Sequence, residues 1–330
     1  MKAEHVIKSH ERPGRHWARI EEKGVYWGFR LMVALFRLLG PQIIKFFLFF
    51  VIGYFFLTGF SARRASMNFL TRVWELDGGS HEDRPGLKRS FRHFWSFGTA
   101  IVDKFSAWSG RFSLDDVDYT GLEIYQDLVA EGRGAIMVTA HIGNIEVCRA
   151  LSRFKPGLKI NVLVHTRHAG NFNRLLKEMD PGSQVRLMQV SDVGLDTAMI
   201  LQEKLAAGEF VVIAADRIPI SNTRHVTLAP FMGRQAPFPQ GAFILASMLQ
   251  SPVVQIFCVK RGDRFHIFLE KLGDMTGVDR KKRKMLIEEM VKRFAERLTY
   301  YAKTYPYQWF NFYDFWNQPT SIAAREKRAE

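Results

Sequence analysis

Apolar residues follow two different rhythms along this chain. Near the N-terminus they form long runs: Val25 to Leu39, interrupted by Arg30 and Arg37, and then Phe46 to Phe60, which carries no charge. From Ala135 onward they form short runs, rich in β-branched residues and bounded by turns: Ala135 to Ala140, Leu158 to Val164, Val185 to Val190, Phe210 to Ala215 and Val253 to Val259. Runs of this length and composition predict buried strands. Between them lie helix-period segments, Ile145 to Phe154, Leu195 to Ala206 and Ala242 to Leu249, and a last amphipathic segment covers Lys281 to Thr304. Strands alternating with helices pair in parallel and are covered on both faces. The expected fold class is therefore α/β, a mostly parallel central sheet flanked by helices, with an N-terminal apolar helical membrane-associating segment. The polar, Gly- and Pro-bearing stretch Trp74 to Gly86 marks a turn or linker. It divides an N-terminal unit, residues 1–75, from an α/β unit, residues 76–330.

Seven phenylalanines, Phe46, Phe47, Phe49, Phe50, Phe55, Phe56 and Phe60, crowd the uncharged segment. Its 15 residues fall short of the roughly 20 that span a bilayer. Extension back to Pro41 admits Gln42 and Lys45, and a lysine near a helix end can snorkel to the headgroups. The competing reading is a buried hairpin of a soluble protein. Lys+Arg of 47 against Asp+Glu of 33 leaves a net +14, which by itself does not choose among a membrane surface, nucleic acid and an acidic protein or cofactor. Such an excess favours an anionic partner, and the basic flanks, Arg63 and Arg64 among them, suit anionic headgroups on a cytoplasmic leaflet. Residues 1–24 are polar and basic, so no cleavable secretion signal is expected. No nucleic-acid partner is expected either, since no recognisable binding module accompanies the charge. Cys148 and Cys258 lie in apolar stretches without metal-ligand spacing and read as buried thiols of a reducing compartment.

In an open α/β sheet, ligands bind at the carboxyl ends of the strands. The run Ala135 to Ala140 ends in His141-Ile142-Gly143-Asn144-Ile145-Glu146. Gly143 and Asn144 are loop and N-cap types, which predicts a helix with Glu146 in its first turn, where the dipole favours an anion. From there a carboxylate can reach back to fix the His141 tautomer and stabilise its imidazolium. No serine or cysteine nucleophile stands beside the pair, apart from Cys148 deeper in the same helix. The arrangement suits a histidine general base acting on a substrate hydroxyl. By itself, a histidine at a strand end more often hydrogen-bonds a loop, so the spacing alone does not decide.

Four ordered blocks do more. The H-x-x-x-x-E of His141 and Glu146 is one. The second is His165-Thr166-Arg167-His168-Ala169-Gly170-Asn171-Phe172-Asn173-Arg174. The third is Ala215-Asp216-Arg217-Ile218-Pro219 followed by Pro230-Phe231-Met232-Gly233-Arg234 and Pro237 to Gly241, and the last is Pro306-Tyr307-Gln308-Trp309-Phe310. Together, over roughly residues 25 to 316, the sequence resembles the lysophospholipid acyltransferase superfamily, and within it the late acyltransferases of bacterial lipid A biosynthesis.

That resemblance implies an O-acyltransferase of the inner membrane, at its cytoplasmic face. It would move a fatty acyl chain from a thioester donor, acyl carrier protein or acyl-CoA as co-substrate, onto a membrane lipid acceptor, with no metal and no bound cofactor. His141 and Glu146 are the expected catalytic residues. Asn144, Arg167, Asn171, Asp216, Arg217, Phe231, Gly233 and Arg234 are the expected substrate-binding residues, Arg167 as a clamp on a phosphate or developing oxyanion. His165 and His168 lack a third ligand at metal spacing. The basic run Arg280 to Lys284 reads as a solvated helix start or as a docking site for the acidic carrier protein. Two departures from the family pattern stand out: Arg217 replaces a usual glutamine, and Asn311-Phe312-Tyr313-Asp314-Phe315-Trp316 replaces an arginine-rich tail. The alternative reading is a catalytically inactive, basic membrane-surface lipid-binding protein on the same scaffold.

Overall fold

A computed structural model describes residues 25–79, 84–151, 158–164, 185–189, 195–219 and 224–318. Three helices lead: α1 (Val25–Thr58), α2 (Phe60–Leu76) and α3 (Leu87–Trp108). Helix α1 is two helices joined at a kink, where Gly40 takes a φ of 75° just before Pro41. The stretch Leu38–Thr58, which begins just before that kink, is long and apolar enough to cross a membrane, and only 6% of it is buried. One side of it rests on α3, where Ile52 meets Gly98 so closely that a Cβ there would sit 2.8 Å from Ile52 Cγ1. Phe56 adds edge-on contacts to Phe91 and Phe94.

The α/β part follows as β1 (Val117–Thr120), α4 (Leu122–Ala130), β2 (Ile136–Thr139), α5 (Ile145–Leu151), β3 (Ile160–Val164), β4 (Val185–Gln189), α6 (Leu195–Ala206), β5 (Phe210–Ala214), the hairpin β6 (Val226–Phe231) and β7 (Arg234–Pro239), α7 (Gly241–Met248), β8 (Pro252–Arg261), β9 (Arg264–Asp274) and α8 (Arg280–Thr304). The main sheet has seven strands in the order β1-β9-β8-β2-β5-β3-β4. The five strands predicted from sequence are the five neighbours β8, β2, β5, β3 and β4, all mutually parallel. Strand β9 turns back antiparallel on β8, and β1 joins its far edge. Strand β9 alternates buried with mostly half-buried residues and β1 runs from a buried Val117 to an exposed Thr120, so they lack the continuous apolar run that betrays a central strand.

Each sheet face carries its own core. Ile136, Val138, Val211, Val253 and Phe257 pack on α2, α6, α7 and α8, whereas Met137, Val212, Val254, Cys258 and Phe265 face α3, α4 and α5. Phe69, Leu70 and Val73 of α2 belong to the first core. This helix falls within the expected N-terminal unit 1–75, yet its inner face is part of the α/β core. A buried relay ties the leading helices to the C-terminal segment: Ser90 donates to Ser66 (3.0 Å), Ser66 meets His93 Nδ1 (3.1 Å), and His93 Nε2 reaches the Trp309 carbonyl (2.9 Å). Burial lowers the His93 pKa to about 4, against a smaller opposing effect of the carbonyl, so at neutral pH the ring is uncharged and donates through Nε2.

Candidate active site

Strand β2 ends at Thr139, and two residues later His141 stands at the carboxyl edge of the sheet. The loop from His141 to Asn144 is clamped from two sides. From β8, the Cys258 carbonyl accepts from the Asn144 amide at 2.7 Å. From the C-terminal segment, which we call the strap, the Gln308 carbonyl accepts from the Gly143 amide (2.8 Å) and the Phe310 amide donates to the His141 carbonyl (2.7 Å). The strap is itself fixed, because the Gln308 side chain mimics a peptide group: Oε1 accepts from the Lys260 amide and Nε2 donates to the Lys260 carbonyl, both at 2.8 Å. Trp309 is fully buried among Phe69, Phe231 and Phe315.

Gly143 is required at its place. Its φ is 62°, and a Cβ would lie 1.9 Å from the Cys258 carbonyl oxygen, a backbone atom that cannot move aside. Gly143→Ala is therefore expected to abolish transfer and to lower the melting temperature by several degrees. Melting curves alongside product formation check this; a fully active alanine variant would mean the loop tolerates displacement.

The carboxylate on the His141 ring is that of Asp216. Asp216 Oδ1 accepts from His141 Nδ1 at 2.8 Å, while Oδ2 accepts from the His141 amide (3.0 Å) and from Asn311 Nδ2 (2.9 Å). Asp216 is fully buried. Burial works to raise its pKa, but the His141 ring, the hydrogen bonds from it and the Arg217 charge outweigh that effect and hold the carboxyl well below the ordinary range. An ionised Asp216 fixes the proton on Nδ1 and leaves Nε2, with its lone pair, as the ring nitrogen open to a substrate. Next to it, Arg217 donates from Nε to Asn311 Oδ1 (2.7 Å) and from Nη2 to the Phe310 carbonyl (2.9 Å).

A cavity of about 730 Å³ opens beside His141. Its mouth holds His141, Glu146, Lys104, Arg217 and the aromatic rings of Phe97, Phe310 and Phe312. Its wall is the face of the sheet beneath α5: Thr139, Ala214 and Val164 in one row, Met137, Val212 and Val162 in the next, and Ile160 below. At roughly 3.3 Å per residue the wall is about 13 Å deep. Cys148 of α5 also lines it and is only half-buried, where the sequence suggested a buried thiol; Cys258 is fully buried against it.

The predicted site residues therefore separate. His141 and Glu146 line one cavity, but the orienting bond expected of Glu146 belongs to Asp216, which the sequence suggested as a substrate ligand. Glu146 Oε2 instead accepts from Trp108 Nε1 at 3.1 Å. The reason is topological: β2 and β5 are adjacent parallel strands, so residues just past their ends meet. Asn144 is buried and donates to the Ala100 carbonyl (3.0 Å), binding α3 to the loop, and does not line the cavity. Phe231, Gly233 and Arg234 do not line it either. Phe231 is fully buried against Trp309, and Met232 and Gly233, with φ of 49° and 74°, form the two-residue turn of the β6–β7 hairpin. Arg217 does line the cavity, with its fork committed to the strap. Arg167 and Asn171 lie outside the described residues. Sequence reasoning missed Asn311, whose side chain hydrogen-bonds both Asp216 and Arg217; an asparagine in an aromatic tail gave no sign of it.

Compared with curated proteins, the chain has no match. Against family models, residues 24–318 match that of the bacterial lipid A biosynthesis acyltransferases.

Proposed function

The chain belongs to the bacterial lipid A biosynthesis acyltransferase family, and from that premise we propose an O-acyl transfer in which His141 is the general base and Asp216 its orienting carboxylate. The observation that carries this reading is the 2.8 Å contact between His141 Nδ1 and a buried, ionised Asp216 at the mouth of an apolar cavity.

The steps follow from the geometry. The acyl chain of a thioester lies along the sheet face toward Met137 and Val212, excluding water from the thioester carbonyl. An acceptor hydroxyl approaches His141 Nε2, which takes its proton as the oxygen bonds to the carbonyl carbon. The imidazolium so formed is stabilised by Asp216. Collapse of the tetrahedral intermediate breaks the C–S bond, and the proton on Nε2 passes to the departing thiolate. The products are an ester and a free thiol, with no acyl-enzyme intermediate. Arg217, held by neutral acceptors of the strap, and Lys104 supply positive charge at the mouth for the phosphates of an anionic donor or acceptor. The donor is a phosphopantetheine thioester, of carrier protein or CoA. The exposed basic start of α8, residues 280–284, offers the carrier protein a complementary surface. The outward apolar face of α1 supports attachment to a membrane; in this reading that membrane is the inner membrane, where the acceptor resides.

The test is lipid mass spectrometry on bacteria that make the wild-type chain or its His141→Ala variant. A lipid heavier by one acyl unit with the wild type alone is the expected result, and its mass names acceptor and chain length. The same species in both would remove His141 from the mechanism. No new species with either folded, membrane-bound protein, in a host that supplies lipid A precursor, would favour the inactive lipid-binding reading.

A further inference from the structure

The reaction needs a donor for the oxygen that becomes negative when the thioester carbonyl is attacked, and most of the hydrogen-bonding groups around His141 are already committed. His141 is committed to the proton, Arg217 spends Nε and Nη2 on Asn311 and the Phe310 carbonyl, and the loop amides of His141, Gly143 and Asn144 are bonded to Asp216, Gln308 and Cys258. The cavity wall does contain two hydroxyls, Thr139 Oγ1 and Tyr313 Oη, that are buried and have no hydrogen-bond partner. A buried donor left unpaired is uncommon and calls for an explanation. Thr139 stands on β2 among Ala214 and Val164, within the apolar part of the wall. Tyr313 stands at the reacting end: it lies two residues beyond Asn311 on the strap, with the Arg217 guanidinium 5.7 Å from its ring centre. Its ring is held against Phe315, with centroids 6.1 Å apart.

We propose that Tyr313 is a further catalytic residue, whose hydroxyl donates a hydrogen bond to the thioester carbonyl oxygen and holds the oxyanion formed when the acceptor oxygen adds. The proposal rests on the acyltransferase reading above. The tyrosine keeps its proton throughout; the acceptor proton goes to His141 and then to the leaving thiolate, so the balance of the step is unchanged. Burial and the nearby Asp216 charge raise the phenol pKa, Arg217 opposing them, which keeps the hydroxyl a donor at neutral pH. Being preorganised and otherwise unpartnered, it loses no protein hydrogen bond in reaching the substrate.

Tyr313→Phe removes the hydroxyl and keeps the packed ring. With a lipid A precursor as acceptor and palmitoyl-CoA as donor, kcat is expected to fall about 10²- to 10³-fold, with KM for the donor and the melting temperature nearly unchanged. A second measurement separates this role from a structural one. The turnover-blocked His141→Ala protein is loaded with palmitoyl-CoA isotopically labelled at the carbonyl carbon, and the carbonyl stretch is recorded by difference infrared spectroscopy. A band below that of the free thioester, restored to the free position in the His141→Ala/Tyr313→Phe protein, is the expected result. Identical bands in the two proteins, or a loss confined to KM, would overturn the assignment of Tyr313 while leaving His141 in place. Full activity of His141→Ala would instead overturn the reading beneath it. Absence of any bound thioester would remove the acyl group from the cavity and the proposal with it.

Discussion

Replacing Asp216 by asparagine is expected to lower kcat by about 10³- to 10⁴-fold, with KM little changed. The size follows from what the carboxylate does for His141. Asp216 accepts three hydrogen bonds, two from His141 and one from Asn311. An asparagine has one accepting oxygen and one donating nitrogen. Turned so that its nitrogen faces His141 Nδ1, it forces the ring proton to Nε2 and removes the lone pair that should receive the acceptor proton. Turned the other way, it sets its own NH₂ against Asn311 Nδ2 and leaves the imidazolium without a counter-charge. Either way a buried hydrogen bond is lost, costing roughly 1–3 kcal/mol of stability, so rates belong well below the melting temperature. Glu146→Gln, made in parallel, should cost less than about tenfold, because Glu146 lines the cavity without holding the Nδ1 position. Steady-state rates of the two variants decide the matter. A dead Glu146→Gln beside an active Asp216→Asn would return the orienting role to Glu146.

The contrast between these two acids also shows what a sequence reveals and what it hides. Periodicity located the five parallel strands, because strands buried on both faces read as unbroken apolar runs. It located His141 and the helix carrying Glu146, because a strand end, a glycine and a cap residue are adjacent in sequence. The Asp216 contact is invisible to that logic: 75 residues separate it from His141, and only the pairing of β2 with β5 brings them together. Phe231 and Gly233 lie away from the His141 cavity, and a glycine needed for a positive φ in a hairpin turn looks the same in sequence as one needed beside a substrate. The half-exposed strands β1 and β9 have charges interspersed and gave no run to detect.

The two places where the sequence departs from the pattern it resembles meet in the structure. Arg217, in place of a glutamine, donates to Asn311, which stands where the tail loses its arginines. A guanidinium contributed from β5 thus occupies space beside the strap, and the strap supplies neutral acceptors, Asn311 Oδ1 and the Phe310 carbonyl, to receive it. The cavity mouth thereby holds a cation fixed by the strap.

Membrane attachment is the second large effect. Phe46, Phe50, Tyr54 and Leu57 follow one another at helical spacing on α1 and are 63%, 60%, 63% and 68% exposed. A helix of the buried core would hide such a face; this one turns it outward while Ile52 and Phe56 grip α3 on the other side. Aspartates at Phe46, Phe50 and Tyr54 leave that grip untouched. An acidic residue near the centre of a membrane-inserted helix costs about 3 kcal/mol on insertion scales, so three sum to something on the order of 9 kcal/mol. The triple variant is therefore expected to move from the membrane pellet to the supernatant on fractionation. It should keep its rate on a detergent-dispersed acceptor, since the His141 cavity is built by other elements, and lose it on acceptor embedded in vesicles. Salt separates this anchor from the basic surface: the wild type should stay with membranes in 1 M salt, where the Debye length shrinks to about 3 Å and charge attraction fails. A triple variant that still pellets in high salt would place the anchor outside this face of α1.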